Sequence, residues 1–363
     1  MTGSAIASLR ARLSALAIED SGAMGAQSET GAETAPGTTQ AAAAAPAPVA
    51  AAAQDRFRLF QMALLVFLTA ICVAPFAIVL VVSLGEPLPG KAWDWAFSGQ
   101  NYTRVFVGLD WPDSTSFLYL QRLMWSFIYA AVASVVSVAF AFPFAWLMTR
   151  GSRRSQTAWL VFLLASLSLS EVFVVMGIDI LLSNRSGLPM VFRETGLTQL
   201  LKDTGGFQWF RDMGLASPRN VRFKTSVLAT VGSMSYLVFP YAVILLYPAF
   251  SRIDASMLEA ARTMGARPMT VMRTVVLPQV RVALIGASLL LFVFLLGAYV
   301  AVTVFADPAK QTIAVSIYES VRGATLNAPF GAAQAIVLLV TAAAFLGLST
   351  LLARAGGPRD PSH

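Results

Sequence analysis

The run Leu123–Met148 reads LMWSFIYAAVASVVSVAFAFPFAWLM and contains no charged residue. The hydrocarbon core of a bilayer is about 30 Å thick, and a helix needs about 20 residues to cross it. The run is long enough for that crossing. It is continuously apolar rather than alternating, which favours a helix over a barrel strand. It therefore predicts a membrane-spanning helix.

Five further runs have the same character. They cover approximately Phe60–Leu84, Thr157–Leu182, Ser226–Phe250, Val282–Ala306 and Phe330–Ala353. Apolar residues make up 56% of the 363 residues and charged residues only 12%, about half of the roughly 25% found in soluble proteins. A soluble core of this size cannot enclose so much apolar surface. The sequence predicts an all-α membrane protein with six transmembrane helices over residues 56–353.

The composition excludes several kinds of chemistry. Cys72 is the only cysteine and His363, the last residue, is the only histidine, so neither a thiolate metal site nor histidine catalysis is expected. Residues 85–92 nearly match a phosphate-binding loop, but Ala92 stands where Ser or Thr is needed. The 26 Lys and Arg exceed the 19 Asp and Glu, a balance that indicates contact with membrane lipid rather than nucleic acid. We expect this chain to bind no metal or cofactor.

The two ends of the chain differ from the apolar centre. Residues 1–55 are predicted to be a disordered N-terminal tail, because residues 21–53 consist mostly of Ala, Pro, Gly, Ser and Thr. Apolar residues recur at helical spacing between Ile6 and Leu16. That pattern leaves open a short helix on the membrane surface or an unstructured start. The first apolar run is predicted to be a signal anchor rather than a cleaved leader, and residues 354–363 a short C-terminal tail.

The distribution of basic residues predicts the sidedness of the chain. One side of the membrane holds the segments beside the termini and loops 149–156 and 251–281, and the opposite side holds the remaining loops. The two sides carry equal numbers of Lys and Arg, but on the first side these residues are concentrated in shorter segments. Cytoplasmic loops are enriched in Lys and Arg. We therefore expect both termini, and both of these loops, on the cytoplasmic side.

The segment between the fourth and fifth runs is polar. Residues 254–278 read DASMLEAARTMGARPMTVMRTVVLP and are called the EAA segment below. Ser256 followed by Glu259 predicts a capping box, Gly265 a left-handed helix end, and Pro268 the first turn of a second short helix. Short amphipathic helices rich in Met and Ala suit a groove on another protein. The pattern predicts a helix–turn–helix bracket along the inner face of the membrane.

These residues resemble the EAA loop of binding-protein-dependent ATP-binding cassette (ABC) importers. The family pattern is Glu-Ala-Ala, three residues, Gly, nine residues, Ile, one residue and Leu-Pro. The matching positions are Glu259, Ala260, Ala261, Gly265, Leu277 and Pro278, and Val275 replaces Ile. The resemblance implies the type I importer permease fold, with residues 251–281 as a cytoplasmic coupling loop that docks into a separate ATP-binding subunit.

The same resemblance implies the other components of the transporter. A second permease subunit, homologous or identical, is expected, together with a periplasmic solute-binding protein. ATP and Mg²⁺ are expected on the partner ATPase, so this chain is not expected to be an enzyme. The location implied is the bacterial inner membrane.

The resemblance extends over about residues 57–353 and is nearest to the polyamine/opine-type (spermidine/putrescine) permeases. It rests on FPFAWL at 142–147, LGAYV at 296–300 and NAPFGAA at 327–333. Where spermidine/putrescine permeases carry a Trp-Thr-rich third span containing Arg, residues 167–172 read LSLSEV. The implied solute is a polyamine or a related organic compound, with another solute class as the alternative.

Two carboxylates fall within the third apolar run. Glu171 lies near its middle and Asp179 two turns further toward the outer face. A carboxylate at a helix centre costs roughly 2.5–3.5 kcal/mol, and a partner charge, a water-filled cavity or a function is expected to offset that cost. Their spacing lets both face one cation-attracting path, with Tyr236 and Tyr299 as further lining. The alternatives are hydrogen bonding of Glu171 to neighbouring helices, a position of Asp179 at the outer interface, packing roles for the tyrosines, and an ion-driven transporter that uses the carboxylates as a proton site.

Overall fold

The computed structural model describes residues 48–88, 91–109, 113–183, 187–216, 221–323 and 326–355. The chain divides into two compact units, Met1–Phe67 and Leu68–His363. The tail predictions for residues 1–47 and 356–363, including the pattern between Ile6 and Leu16, fall outside the described residues.

The described part of the first unit is helical. Helix α1 spans Pro48–Ser83, so residues 48–55, which were predicted to belong to the disordered tail, are part of a helix. The physical reason is local. Proline at the first helical position and a run of alanines after it both favour helix formation.

The second unit contains the end of α1, one hairpin and a series of helices. The elements after α1 are β1 (Glu86–Leu88), β2 (Lys91–Asp94), α2 (Gln100–Val107), α3 (Leu118–Arg150), α4 (Arg153–Leu167), α5 (Glu171–Leu182), α6 (Leu188–Glu194), α7 (Leu197–Asp203), α8 (Gly206–Asp212), α9 (Val227–Ser251), α10 (Ala255–Thr263), α11 (Pro268–Leu296), α12 (Val300–Phe305), α13 (Ile313–Arg322) and α14 (Ala328–Ala355). The sequence predicted helices alone, so the antiparallel hairpin of β1 and β2 was not predicted.

Among the described residues, five helices are long and apolar enough to cross a membrane: α1, α3, α9, α11 and α14. The pair α4 and α5 makes a sixth span if the two are counted together. The predicted helical membrane class is therefore confirmed, with six spans on that count.

The third predicted span is broken rather than continuous. Helices α4 and α5 meet at an angle of 93° across residues 168–170. The Ser168 hydroxyl donates to the Ala165 carbonyl at 2.7 Å, and serine side chains that bond locally to the backbone compete with helix continuation. Glu171 consequently lies in the first turn of α5. The prediction of one continuous helix over Thr157–Leu182 is therefore wrong, although Glu171 still lies near the middle of the bent pair.

The fifth predicted span, Val282–Ala306, is displaced toward the EAA segment. Helix α11 begins at Pro268 and ends at Leu296, and the chain resumes as the short helix α12 after Gly297. The π-helical turn Met272–Val276 lies inside α11. The EAA segment and the fifth span therefore share one helix.

The core of the second unit lies where α3, α9 and α11 pack against one another. Ala133, Ala141 and Ala145 of α3 are fully buried, and small residues of this kind let membrane helices approach closely. The Ser235 hydroxyl of α9 donates to the Ala133 carbonyl at 3.2 Å. These contacts make the three helices one packed group that positions both candidate sites.

Helix α13 packs on the N-terminal part of α3. The buried Ser126 hydroxyl accepts from the Ile313 backbone N–H at 2.9 Å and donates to the Arg122 carbonyl at 2.9 Å. Arg122 also pairs with Glu319 at 3.5 Å. The segment between α12 and α14 is thereby attached to the end of α3 remote from the EAA segment.

Candidate coupling segment and transmembrane cavity

Helix α10 of the EAA segment begins with an aspartate cap. Asp254 is the residue before the helix, and its Oδ1 accepts from the Ser256 backbone N–H at 3.0 Å. That hydrogen bond, with a further one from the Ser256 side chain, lowers the pKa of Asp254. The predicted capping box of Ser256 and Glu259 is wrong, because Ser256 is already inside the helix. Glu259 is left exposed.

The end of α10 has the predicted left-handed glycine. Gly265 has φ of 78°, its N–H donates to the Arg262 carbonyl at 2.9 Å, and the Ala266 N–H donates to the Ala261 carbonyl at 3.1 Å. This pair of bonds is the Schellman motif, which satisfies the last carbonyls of a helix. The local prediction at Gly265 is confirmed, and the turn sets the direction in which the chain enters α11.

The two faces of α10 differ in chemistry. Leu258 and Ala261 are buried in the main core, whereas Glu259 and Ala260 are exposed. Met264, just after the helix, is 81% exposed. Exposed methionines adapt to varied apolar surfaces, and exposed apolar patches mark interaction sites. The outward face of α10 is therefore suited to bind another protein.

The second half of the EAA segment is not a separate short helix. Pro268 does occupy the first turn of a helix, as predicted, but that helix is α11, which continues through the π-helical turn to Leu296. Leu277 and Pro278 lie exposed at the end of that turn. Contact between α10 and α11 includes the Gln279 amide, whose Nε2 donates to the Met257 sulfur at 3.6 Å. A displacement of α10 therefore acts directly on a membrane-spanning helix.

Glu171 lines a small cavity bounded by α4, α5, α9 and α11. The cavity has a volume of about 80 Å³. Its other lining residues are Ser166, Leu167, Leu169, Val174, Tyr236, Leu237, Pro240, Tyr241 and Phe294. Within the described part of the chain, Oε1 of Glu171 is buried and has no hydrogen-bond partner. The cavity thus combines one carboxylate without a partner at Oε1 with two tyrosines.

A larger apolar cavity adjoins the Glu171 cavity. It measures about 640 Å³ and lies between α5 and α9. The two cavities share Leu169, Val174 and Tyr236. Ser233 and Tyr236 supply the polar side chains of a lining that is otherwise leucine, phenylalanine and other apolar residues. The combined space offers one carboxyl group at one end and an apolar surface over the rest.

The other two predicted path residues lie elsewhere. Asp179 forms an ion pair with Lys224 at 2.6 Å, and Tyr299 stacks on Tyr318 with ring centroids 4.7 Å apart. Neither is among the residues that line the Glu171 cavity. The structure therefore brings Glu171 and Tyr236 together but separates Asp179 and Tyr299 from them. Phe294 lines the cavity but was not predicted to do so. It lies in a uniformly apolar stretch of α11, and nothing in the sequence distinguishes it from its neighbours.

No protein-family model matches the chain. It is 23% identical over 266 residues to the spermidine/putrescine transport system permease protein PotB of Haemophilus influenzae, covering 73% of this chain and 83% of that protein. It is 28% identical over 229 residues to the inner membrane ABC transporter permease protein YdcU of Escherichia coli, covering 60% of this chain and 66% of that protein.

Solved structures agree on the fold. A bacterial ABC transporter involved in the import of the acidic polysaccharide alginate has a chain that superposes with a TM-score of 0.55 and 14% identity, covering 84% of this chain and 98% of that chain. A second structure of a bacterial alginate transporter, in complex with a periplasmic protein that holds an alginate pentasaccharide, matches with a TM-score of 0.54 and 15% identity, covering 83% and 96%.

The fold is shared with chains of ABC importers, and the sequence relatives are permease proteins of ABC transporters, as expected for a multi-pass transmembrane subunit in the inner membrane. Its resemblance within that class is to the polyamine-type permeases. The expectation that this chain is not itself an enzyme is confirmed by the same relatives, which are permease subunits.

Proposed function

We propose that this chain forms half of a path for a small organic cation, with polyamines as the first class to test. The observation that supports this choice is the partnerless Oε1 of Glu171 in the cavity beside Tyr236 and Tyr241. A carboxylate in a membrane-embedded cavity attracts cations, and tyrosine rings add a favourable electrostatic surface for ammonium groups. The polyamine class is taken from the name of the PotB relative.

The path is completed by a second permease subunit, homologous or identical to this one. Several side chains around the two cavities are largely exposed, including Phe173 at 72% and Tyr236 at 61%. Aromatic side chains at such exposure on a membrane helix face either lipid or another subunit. A second subunit placed against α5 and α9 would enclose the Glu171 cavity on its open side, which is what a sealed path requires.

The partner that supplies energy is a cytoplasmic ATP-binding subunit. It docks on the outward face of α10, where Met264 and Ala260 are exposed beside Glu259. Leu277 and Pro278 lie in the same segment at the end of the π-helical turn. We propose with it that α10 and both termini face the cytoplasm, as the density of basic residues beside the termini and in loops 149–156 and 251–281 predicts.

Transport then proceeds by alternating access. ATP binding closes the partner ATPases, their movement displaces α10, and the shared helix α11 carries the displacement into the membrane. Phe294 of α11 lines the Glu171 cavity, so the helix that receives the movement also shapes the binding space. A periplasmic solute-binding protein delivers the solute at the outer face.

The class of transport is tested by reconstitution of the complete complex in proteoliposomes. We expect uptake of labelled putrescine or spermidine that requires ATP and the binding protein, and no uptake of a neutral sugar of similar size. Uptake that needs an ion gradient but no ATP would overturn the importer mechanism. ATP-driven uptake restricted to neutral or acidic solutes would overturn the cationic solute class alone.

The docking face is tested by crosslinking in a background in which Cys72→Ser removes the only cysteine. Met264→Cys is expected to crosslink to the ATP-binding subunit. The matched control is Thr303→Cys, an exposed position on α12, which should give no such product. Equal crosslinking at both positions would contradict the proposed docking face.

A further inference from the structure

A nine-residue repeat occupies the segment between α5 and α9. Residues 188–214 read LPMVFRETG, LTQLLKDTG and GFQWFRDMG. Each repeat forms one seven-residue helix, α6, α7 and α8 in turn. Each ends on a glycine with φ between 73° and 75°. The repetition was not detected from sequence, although the recurring basic–acidic pair and the glycine at period nine are its signal.

The three repeats are held by the same internal contacts. The backbone N–H of the eighth residue donates to the carbonyl of the fourth, at 2.9 Å for Thr195, 3.0 Å for Thr204 and 3.1 Å for Met213. The fifth residue of the first and third repeats, Phe192 and Phe210, packs on Phe223 at 5.7 Å and 6.4 Å between ring centroids. The fifth position of these two repeats therefore faces inward, toward a residue that lines the apolar cavity.

The fourth position faces outward in every repeat. Val191 is 50% exposed, Leu200 59% and Trp209 57%. Equivalent positions of the three repeats thus each expose one large apolar side chain, and these three residues are called the apolar row below. The residue three positions later, on the same side of each short helix, is acidic: Glu194, Asp203 and Asp212, all exposed.

The acidic residues need an explanation beyond helix stability. Each of the three helices ends on its acidic residue, where the partial negative charge of the helix C-terminus disfavours a carboxylate. A segment that rests on a membrane surface carries mainly Lys and Arg on its polar side, whereas here acids equal bases in number. An apolar row bordered by carboxylates fits a protein surface with apolar and basic groups.

We infer that the outward face of the nine-residue repeats is a docking surface for the periplasmic solute-binding protein, which contributes apolar side chains opposite Val191, Leu200 and Trp209 and basic side chains opposite the three acids. This inference rests on the proposed importer function, because only such a transporter requires that partner. The repeats lie between α5 and α9, the two helices that bound the apolar cavity. Docking there presents the released solute to the path.

The test uses spin labels on the complete transporter in nanodiscs. Leu200→Cys is labelled with a nitroxide in the Cys72→Ser background, and its accessibility to a water-soluble nickel relaxant and to oxygen is measured. The solute-binding protein that co-purifies with the complex is then added. We expect a label that is water-accessible at first and loses at least half of its nickel accessibility at saturation. Phe97→Cys, at an 89% exposed position after the hairpin, is the control and should change little.

Stimulation of ATP hydrolysis by the binding protein is recorded on the same samples. Stimulation without any change at the Leu200 label would overturn the docking surface and leave the importer function intact. A label that is accessible to oxygen but not to nickel before the partner is added would assign the row to the bilayer and overturn the inference. If the binding protein neither stimulated ATP hydrolysis nor lowered the nickel accessibility of the Leu200 label, the importer function itself would be overturned.

Charge reversal provides a second, independent readout. Asp203→Lys together with Asp212→Lys is expected to raise the binding-protein concentration needed for half-maximal stimulation by roughly tenfold, with basal ATP hydrolysis unchanged. Glu86→Lys, at an exposed acidic position in β1, is the matched control. An equal shift in the double variant and the control would show a general charge effect and contradict a specific surface.

Discussion

Asp179 and Lys224 form an ion pair, Oδ1 to Nζ at 2.6 Å, that joins α5 to the residues just before α9. Both side chains are about one-third exposed, so the pair is partly solvated. The pair neutralises the second carboxylate of the third apolar run. Glu171 differs from Asp179 in this respect. Among the described residues, its Oε1 has no hydrogen-bond partner.

The first prediction concerns this difference between the two carboxylates. Glu171→Gln removes the charge from the cavity, and a hydrogen bond to a charged group is worth about 1.5–3 kcal/mol. Uptake of a cationic solute should fall about ten- to hundredfold while basal ATP hydrolysis of the complex stays the same. The matched control is Asp179→Asn, because that carboxylate is already paired and should matter less. Unchanged uptake in Glu171→Gln would make the carboxylate structural.

The second prediction concerns the turn after α10. Gly265→Pro cannot adopt the positive φ and loses the N–H that donates to Arg262, so uptake should be abolished while the protein still inserts. Gly265→Ala meets no atom within 4 Å and costs only the left-handed backbone conformation, about 1–2 kcal/mol. It should retain part of the uptake. Full uptake by the proline variant would refute a coupling role for the turn.

The third prediction concerns the cap of α10. Asp254→Ala leaves the Ser256 N–H without its acceptor, and amide hydrogen exchange in the first turn of α10 should accelerate. Asp254→Ser retains a capping oxygen and should restore protection. Because the pKa of Asp254 is lower in the folded protein, the cap is fully effective at neutral pH. It should weaken only as pH falls below the ordinary aspartate value of about 3.9. Equal exchange in all three proteins would show that the cap is dispensable.

The fourth prediction concerns the π-helical turn within α11. A π-helical turn holds one more residue than the corresponding α-helical turn, and such turns are frequent at functional sites. Deletion of Thr274, an exposed residue of the turn, should convert it to regular α-helix while keeping the flanking faces in register. We expect normal insertion and ATPase binding but reduced coupling of hydrolysis to uptake. Uptake equal to that of the unmodified protein would remove any role for the turn.

The fifth prediction concerns stability. Ser126→Ala leaves the buried Ile313 N–H without an acceptor, which costs about 1–3 kcal/mol. The thermal midpoint of the detergent-purified protein should drop accordingly. Ser134 is also buried on α3, but its hydroxyl bonds only to the Ala131 carbonyl of its own helix. Ser134→Ala should therefore change the midpoint less, and the reverse order would contradict the attachment of α13 to α3.

The sequence by itself determined the class of this protein. Continuous apolar runs specify membrane helices because a bilayer satisfies no backbone hydrogen bonds. The left-handed position of Gly265 and the first-turn position of Pro268 follow from the backbone preferences of those two residues. The EAA segment carries its family pattern in adjacent residues, so its recognition needs no tertiary contact.

Tertiary structure alone decided which residues meet. The local hydrogen bond of Ser168 favours a break after α4, but it does not set the 93° direction that α5 takes after the break, with Glu171 in its first turn. Lys224 is 45 residues from Asp179 in the chain, and no local pattern pairs them. Phe294 reaches the Glu171 cavity because α11 packs beside α9. Burial and pairing depend on contacts between segments that are distant in the sequence. The periodicity of one segment does not indicate which other segments pack against it.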